Sequence, residues 1–255
     1  AGREMDAGIA RIEIWIRAYA ERTGKKKFDS AWQGTAAVRH KPHGVMAVLG
    51  PYNFPAHLPN RHIIPALVAG NTILFKPSEK TPATGALLVE CFKAAGISEH
   101  VVQLVIGGPT QGKALVSHPG VDGVLFTGSA QAGIAINRSL AANPGKIVAL
   151  EMGGNNPIVA LETPKLDDAA ALIGQSAFTT AGQRCTAGRR LIVKDSVYDD
   201  LIAALVPLTR KLVVGGPLDE PQPFMGPVID VETAERLNDS FVTLMTAGGK
   251  ALLAM

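Results

Sequence analysis

The stretch Gly44-Val-Met-Ala-Val-Leu-Gly-Pro-Tyr-Asn-Phe-Pro55 decides the fold. Residues 45–49 are apolar without alternation and stop at a Gly-Pro pair. Such a run predicts a strand buried on both faces, the kind found in parallel sheets. Working outward, the same unit recurs. A helix over residues 62–69, closed by Gly70, leads to the strand Thr72-Ile-Leu-Phe75. Thr81-Pro82 opens a helix that runs to residue 95, with Pro at its first position and Gly96 past its end. Strands follow over residues 101–106, 124–126 and 147–150, separated by helices over 111–117 and 131–142. Strand and helix alternate through short Gly-rich joints. This predicts an α/β, Rossmann-type domain over residues 44–152, its parallel sheet covered by helices on both faces.

Residues 6–21 alternate apolar and charged positions at helical spacing and predict an amphipathic helix ended by Gly24. Residues 1–43 as a whole read as that helix and a connecting ribbon, with Lys25-Lys-Lys27 a solvated turn. Past residue 152 a second α/β region, residues 153–255, begins with a strand over 157–161. Its further elements are helices over 167–180, 198–211 and 232–247, a strand over 191–193, a loop over 215–223 and the start of a strand near Lys250. The chain opens without Met and stops in Ala251-Leu-Leu-Ala-Met255, so it reads as a piece of a longer protein.

Composition removes several function classes. With 255 residues, 47% of them hydrophobic, there is core enough for one large domain or two smaller ones. Two cysteines, Cys91 and Cys185, are too few for a disulfide scaffold or a Cys-rich zinc site and suit a reducing cytoplasm. The net charge of +3 comes with no zinc-finger or RNP pattern, so no nucleic-acid partner is expected. No apolar run approaches the roughly 20 residues of a membrane span, so no membrane partner is expected either. The six histidines show no metal-ligand spacing, and none has a local link to Cys185, which disfavours a Cys–His hydrolase.

Doubly wound sheets bind ligands at the carboxyl ends of their strands. Four stretches there carry groups that can do chemistry. The first turn, containing Asn53, lacks the G-x-G-x-x-G of dinucleotide folds; its amide is either an oxyanion donor or a helix cap. In Lys76-Pro-Ser-Glu79, lysine and glutamate either hold ribose hydroxyls, with the carboxylate favouring NAD over NADP, or form a surface pair. Gly128-Ser129-Ala130-Gln131-Ala132-Gly133 opens a helix whose free N–H groups suit a pyrophosphate. Glu151, at the end of an apolar strand, is expected to be partly desolvated, which would raise its pKa toward that of a general base; a capping role is the other reading. Farther on, Cys185 sits in a Gly-bracketed turn with Arg184, Arg189 and Arg190 nearby as a source of electropositive field. It is either an activated nucleophile or a structural cysteine.

GPYNFP, FKPSE, LFTGS, EMGGNNP and GQRCTAGRR occur in the order and approximate spacing of the NAD(P)-dependent aldehyde dehydrogenase superfamily, which the chain resembles from about Val38 onward. RHKPHGVMAVLGPYNFPAHLPN, ALEMGGNNP, SAFTTAGQRCTAGRR and DEPQPFMG carry a closer likeness to one semialdehyde-oxidising branch. The resemblance implies an NAD-binding Rossmann-type domain and the first part of a catalytic domain. It implies Cys185 as nucleophile, Glu151 as general base, and Asn53 with the Cys185 backbone N–H as oxyanion hole. Lys76 and Glu79 would hold the adenosine ribose, and residues 128–133 would line the cofactor. A small aldehyde is the implied substrate and a homo-oligomer the implied assembly. The family also carries a Glu-x-Phe-Gly-Pro motif for the nicotinamide ribose; Phe224-Met-Gly-Pro227 lacks its Glu and comes too early. For the nominated substrate-carboxylate ligands, Arg61, His57 and Arg184, only proximity to the motifs argues. A CoA-acylating variant and a non-catalytic nucleotide-binding piece stay open as other classes; a water-activating Glu151 argues against the first.

Overall fold

The apolar run of residues 45–49 is the middle strand of a five-stranded parallel sheet. The structure, a computed structural model, describes residues 2–24, 26–29 and 35–253. Lys25 of the expected basic turn and residues 30–34 of the expected ribbon lie outside the described residues, as do Ala254 and Met255. The chain forms two compact units, Ala1–Met152 and Gly153–Met255.

In chain order the first unit holds α1 (Gly2–Thr23), β1 (Lys26–Asp29), β2 (Thr35–Val38), β3 (Val45–Leu49), α2 (His57–Val68), β4 (Thr72–Lys76), α3 (Pro82–Ala94), β5 (Val102–Leu104), α4 (Pro109–Ser117), β6 (Gly123–Gly128), α5 (Ala130–Leu140) and β7 (Ile147–Met152). The sheet order is β5-β4-β3-β6-β7, with every neighbouring pair parallel. The chain winds outward from β3 through β4 to β5, then returns to the other side of β3. Its direction of winding reverses between β3 and β6, which is where such sheets place a ligand crevice.

Two apolar cores flank this sheet. Met46, Val48, Ile73 and Phe75 pack on one face with Ile63 and Ala66 of α2 and Leu88 and Val89 of α3. Ala47, Leu49, Val124 and Phe126 pack on the other with Val116 of α4 and Ile136 and Leu140 of α5. Alternate residues of one strand serve opposite cores, which is why residues 45–49 show no polar alternation. Each such side chain, fully buried, contributes roughly 1.5–3 kcal/mol.

Three local expectations are corrected. Helix α2 begins at His57, five residues before the expected start at residue 62, because Glu4 of α1 supplies a cap from outside: its Oε1 accepts from the N–H groups of Ala56 and His57 at 2.9 Å each. Lys26 and Lys27 lie in a strand rather than a turn, paired antiparallel with Val38 and Ala37. The strand expected over residues 101–106 is regular only over Val102–Leu104, at the sheet edge.

The second unit holds β8 (Asn156–Ala160), α6 (Leu166–Phe178), a 3-10 turn (Thr179–Gly182), β9 (Gly188–Val193), α7 (Asp195–Arg210) and α8 (Val231–Thr246). Strands β8 and β9 pair in parallel. Ala170 and Ile173 of α6 and Leu201 of α7 are buried. The expected strand near Lys250 does not form: the chain turns at Gly248, φ +93°, and the Gly249 N–H closes onto the Leu244 carbonyl at 2.9 Å. Among the described residues, no helix is long and apolar enough to cross a membrane.

Candidate active site

At the carboxyl end of β4, Lys76 is buried while Glu79 reaches the surface, with 8% and 48% of their side chains exposed. The Lys76 ammonium donates to the carbonyls of Pro77, 2.8 Å, and Gly107, 2.7 Å, and lies 3.5 Å from Glu79 Oε2. Two of the three ammonium protons thus go to carbonyls, and the Glu79 carboxylate balances the charge. Lys76 thus ties the β5–α4 turn to the β4 end and pairs with the Glu79 carboxylate. A close approach keeps this loop in place: a Cβ on Gly85 of α3 would sit 2.5 Å from the Pro77 ring.

After β6 the chain turns directly into α5. Ser129 is its N-cap, the hydroxyl accepting from the Ala132 N–H at 3.2 Å. Gly128 and Gly133 are needed for packing. A Cβ on Gly128 would lie 2.5 Å from the Phe126 ring, and one on Gly133 would lie 2.4 Å from Met152 Sδ. Ala130 and Gln131 expose the first turn of this 11-residue helix, the positive end of its dipole.

Asn53 lies in the turn between β3 and α2, its Oδ1 accepting from the Phe54 N–H at 3.0 Å. This fixes the carbonyl end of the amide on the chain; the nitrogen end is the donor. Gly50 of the same turn bonds the Lys76 carbonyl at 2.9 Å, and a Cβ there would come within 2.9 Å of Pro59. Glu151, next to last in β7, is exposed, so the expected desolvation is not found: β7 is the edge strand of the sheet, and its last two residues, Glu151 and Met152, are both exposed. Opposite Glu151 in the parallel register stands Thr127, whose Oγ1 is 3.1 Å from His62 Nε2. Burial lowers the pKa of His62, the nearby Glu151 charge raises it, and Arg61 lowers it. His62 did not stand out in the sequence, and Thr127, inside LFTGS, was given no role; the two are 65 residues apart.

In the second unit Cys185 is exposed, just after the 3-10 turn. Thr180, Ala181 and Gly182 all have left-handed φ, 61°, 53° and 66°. Asn156 of β8 clamps the turn from beneath, its Nδ2 donating to the carbonyls of Cys185, 2.7 Å, and Ala187, 3.1 Å. Gln183 Oε1 accepts from the Ile229 N–H at 2.9 Å. Two of the neighbouring arginines brace the chain around the turn. Arg184 Nε bonds Thr180 Oγ1 at 3.2 Å, and Arg190 Nε bonds the Asn155 carbonyl at 3.0 Å. Arg189 and Arg190 are both exposed in β9, where the pairing with β8 skips Arg189.

The nominated carboxylate ligands fare unequally. Arg61 is exposed on α2. His57 is turned toward α1, where a Cβ on Gly8 would lie 3.7 Å from its Nδ1, so the N-terminal helix covers it. Among the described residues, no group of three or more His, Cys, Asp or Glu is arranged to hold a metal ion.

The profile of the aldehyde dehydrogenase family matches residues 1–254. Over 255 residues the chain is 66% identical to N-succinylglutamate 5-semialdehyde dehydrogenase of Novosphingobium aromaticivorans, covering 100% of this chain and 54% of that one. Identity is 57% to the protein of the same name from Sphingopyxis alaskensis, again over 100% of this chain and 53% of the relative. The chain therefore spans about half the length of the curated relatives it matches. Betaine aldehyde dehydrogenase from Staphylococcus aureus, solved in complex with NAD+, superposes with a TM-score of 0.91 at 28% identity, over 98% of this chain and 49% of that one. With the five-stranded sheet, the glutamate that ends it and the clamped cysteine turn, these matches establish that the chain belongs to the aldehyde dehydrogenase family.

Proposed function

We propose that this chain is part of a cytoplasmic, homo-oligomeric enzyme that oxidises N-succinylglutamate 5-semialdehyde to N-succinylglutamate with NAD, a step of arginine catabolism. The observation that carries this reading is the 66% identity, along the whole chain, to a relative of that name. The exposed Cys185 in its clamped turn supports the chemistry.

The thiolate of Cys185 forms a C–S bond to the aldehyde carbon, and the carbonyl oxygen takes the charge. The Asn53 amide and the Cys185 backbone N–H donate to that oxygen; one such donor is typically worth ~10²–10³ in rate. NAD, when bound, supplies the hydride acceptor. Oxidation of the adduct leaves a thioester on Cys185. Glu151 then takes a proton from water as the water oxygen attacks the thioester carbon. The C–S bond breaks, Cys185 leaves as thiolate, and the acid is released. Splitting the oxidation at a covalent stage lowers each barrier. The exposure of Glu151 fits a base that must give its proton on to solvent.

The residues at the β4 and β6 ends fit a dinucleotide. Glu79 presents a carboxylate to solvent, suited to a ribose 2′-hydroxyl and unsuited to a 2′-phosphate. Lys76 would join it by exchanging its contact with Glu79 for a hydroxyl. The exposed first turn of α5, residues 128–133, would face the pyrophosphate.

The test is a panel of semialdehydes assayed on the complete protein, with NAD and with or without CoA. The N-succinylglutamate semialdehyde should give the highest kcat/KM and the free acid in both cases. A better substrate of another class would overturn the substrate, and an acyl-CoA product formed only with CoA would overturn the role of Glu151.

A further inference from the structure

Glu4 has no part in the steps above, yet it is bonded to the turn that carries one of the residues they use. The first N–H groups of a helix have no partner within it. In α2 each is accounted for. Ala56, at the N-cap position, offers no side-chain cap. The N–H groups of Ala56 and His57 both donate to Glu4 Oε1 at 2.9 Å. Leu58 donates to the Phe54 carbonyl at 3.1 Å, and Pro59 has no N–H. The covered face of α1 brings Glu4 to this place. Glu4, Gly8, Ile12 and Trp15 recur on it at helical spacing, and a Cβ on Gly8 would lie 3.7 Å from His57 Nδ1. From this anchor the chain back to Asn53 is short and stiff. Pro55 has a fixed φ, Leu58 holds the Phe54 carbonyl, and the Phe54 N–H holds Asn53 Oδ1 at 3.0 Å.

We propose that Glu4 is a positioning residue for Asn53: by taking both leading N–H groups of α2 from α1, it fixes the turn that aims the Asn53 amide at the aldehyde oxygen. This rests on the reading of Asn53 as an oxyanion donor. Such a donor is effective because it needs no rearrangement as charge develops on the oxygen. The Asn53 amide is bonded to the backbone of the next residue, so it goes where that backbone goes. Without Glu4, the N–H groups of Ala56 and His57 would turn to water and the first turn of α2 would fray. Phe54, whose carbonyl belongs to that turn, would move with it and carry Asn53 along. No proton or charge passes through Glu4; its part is to supply one oxygen that two adjacent N–H groups can share.

The experiment is a double-mutant cycle on the complete protein, read as the single-turnover rate of NADH formation at saturating NAD and N-succinylglutamate 5-semialdehyde. Glu4→Ala should slow this rate about tenfold, the scale on which small misplacements of a reacting group act, and leave NAD affinity unchanged. Glu4→Gln, whose amide oxygen can still accept from both N–H groups, should stay within about twofold of wild type. Asn53→Ala should slow the rate by ~10²–10³, and adding Glu4→Ala to it should slow it no further. Glu4→Asp, one methylene shorter, serves the same cycle where Glu4→Ala does not fold; it should cost about threefold with Asn53 present and nothing without it. A purely structural Glu4 would lower the melting temperature and slow both backgrounds alike. Equal slowing with and without Asn53 would therefore overturn the proposal, as would a wild-type rate for Glu4→Ala. Asn53→Ala separates the two readings. If it leaves NADH formation at the wild-type rate, the oxyanion assignment fails and the role of Glu4 with it; if it slows the rate and Glu4→Ala does not, only the role of Glu4 fails.

Discussion

Thr180 carries a β-branched side chain at φ 61°, a backbone region that costs a non-glycine residue of order 1–3 kcal/mol. The Thr180 hydroxyl holds Arg184 and its carbonyl holds Gln183, so the turn that presents Cys185 is fixed by side-chain bonds rather than by glycine alone. Single residues also set the cofactor preference. Glu79 is half exposed and lies 3.5 Å from the buried Lys76 ammonium. Glu79→Gln keeps the shape and removes the charge. It should narrow the preference for NAD over NADP by about fivefold, since an exposed charge contact is worth up to about 1 kcal/mol. Titration of the complete protein with both nucleotides checks this; equal wild-type affinity for NADP would remove the role given to Glu79.

Two elements carry the edge that the site is built on, α2 and α3. In α3, Gly85→Ala would gain helix propensity but push a methyl into the Pro77 ring, which cannot yield as a flexible chain end would. Overpacking of this kind costs about 1–3 kcal/mol against a propensity gain of about 1, so a net loss near 1 kcal/mol is expected. Because Pro77 lies between Lys76 and Glu79, NAD affinity should fall with it; denaturant melts and NAD titration of the variant read the two effects. In α2, burial lowers the pKa of both His57 and His62; Arg11 and Arg61 add to this at His57, and Glu4 opposes it. Above pH 6.5 both imidazoles are neutral, folded or unfolded, and have no pH effect on stability. As pH falls through 6.5, the unfolded chain takes up protons that the folded chain refuses, so stability falls until the lower folded values are passed. Thermal unfolding of the first unit should therefore show a declining midpoint from pH 7.5 to 5.5, less steep in His57→Gln. A flat profile would show that α1 and β6 do not shield these rings. What the sequence could not display in α2 is its start. Residue 62 looked like the opening because Pro59 and Asn60 interrupt the helical pattern. The missing cap comes from Glu4, 52 residues upstream of Ala56, and no local window contains it.

Across the whole molecule, legibility follows the range of the forces. Every strand of the first sheet was visible; in the central β3, β4 and β6 this follows from burial that writes an apolar run stopped by Gly or Pro, while β5 and β7 at the edges are less buried. The cysteine turn was visible through its glycines. Long-range partners were not: the His62–Thr127 contact, the Asn156 clamp on Cys185 and the Arg190 bond to the Asn155 carbonyl depend on which strands end side by side. The exposure of Glu151 was misread for the same reason, because an apolar run does not say that its strand lies at the sheet edge. Central to the proposed chemistry is a covalent stage on Cys185 that Glu151 resolves. The direct measurement is intact-protein and peptide mass spectrometry of the complete protein carrying Glu151→Gln, quenched after mixing with NAD and N-succinylglutamate 5-semialdehyde. The expected result is an N-succinylglutamyl thioester on the Cys185 peptide, formed with an equal amount of NADH and absent when Cys185→Ala is added. Steady turnover at the wild-type rate, with Cys185 unmodified throughout, would contradict it.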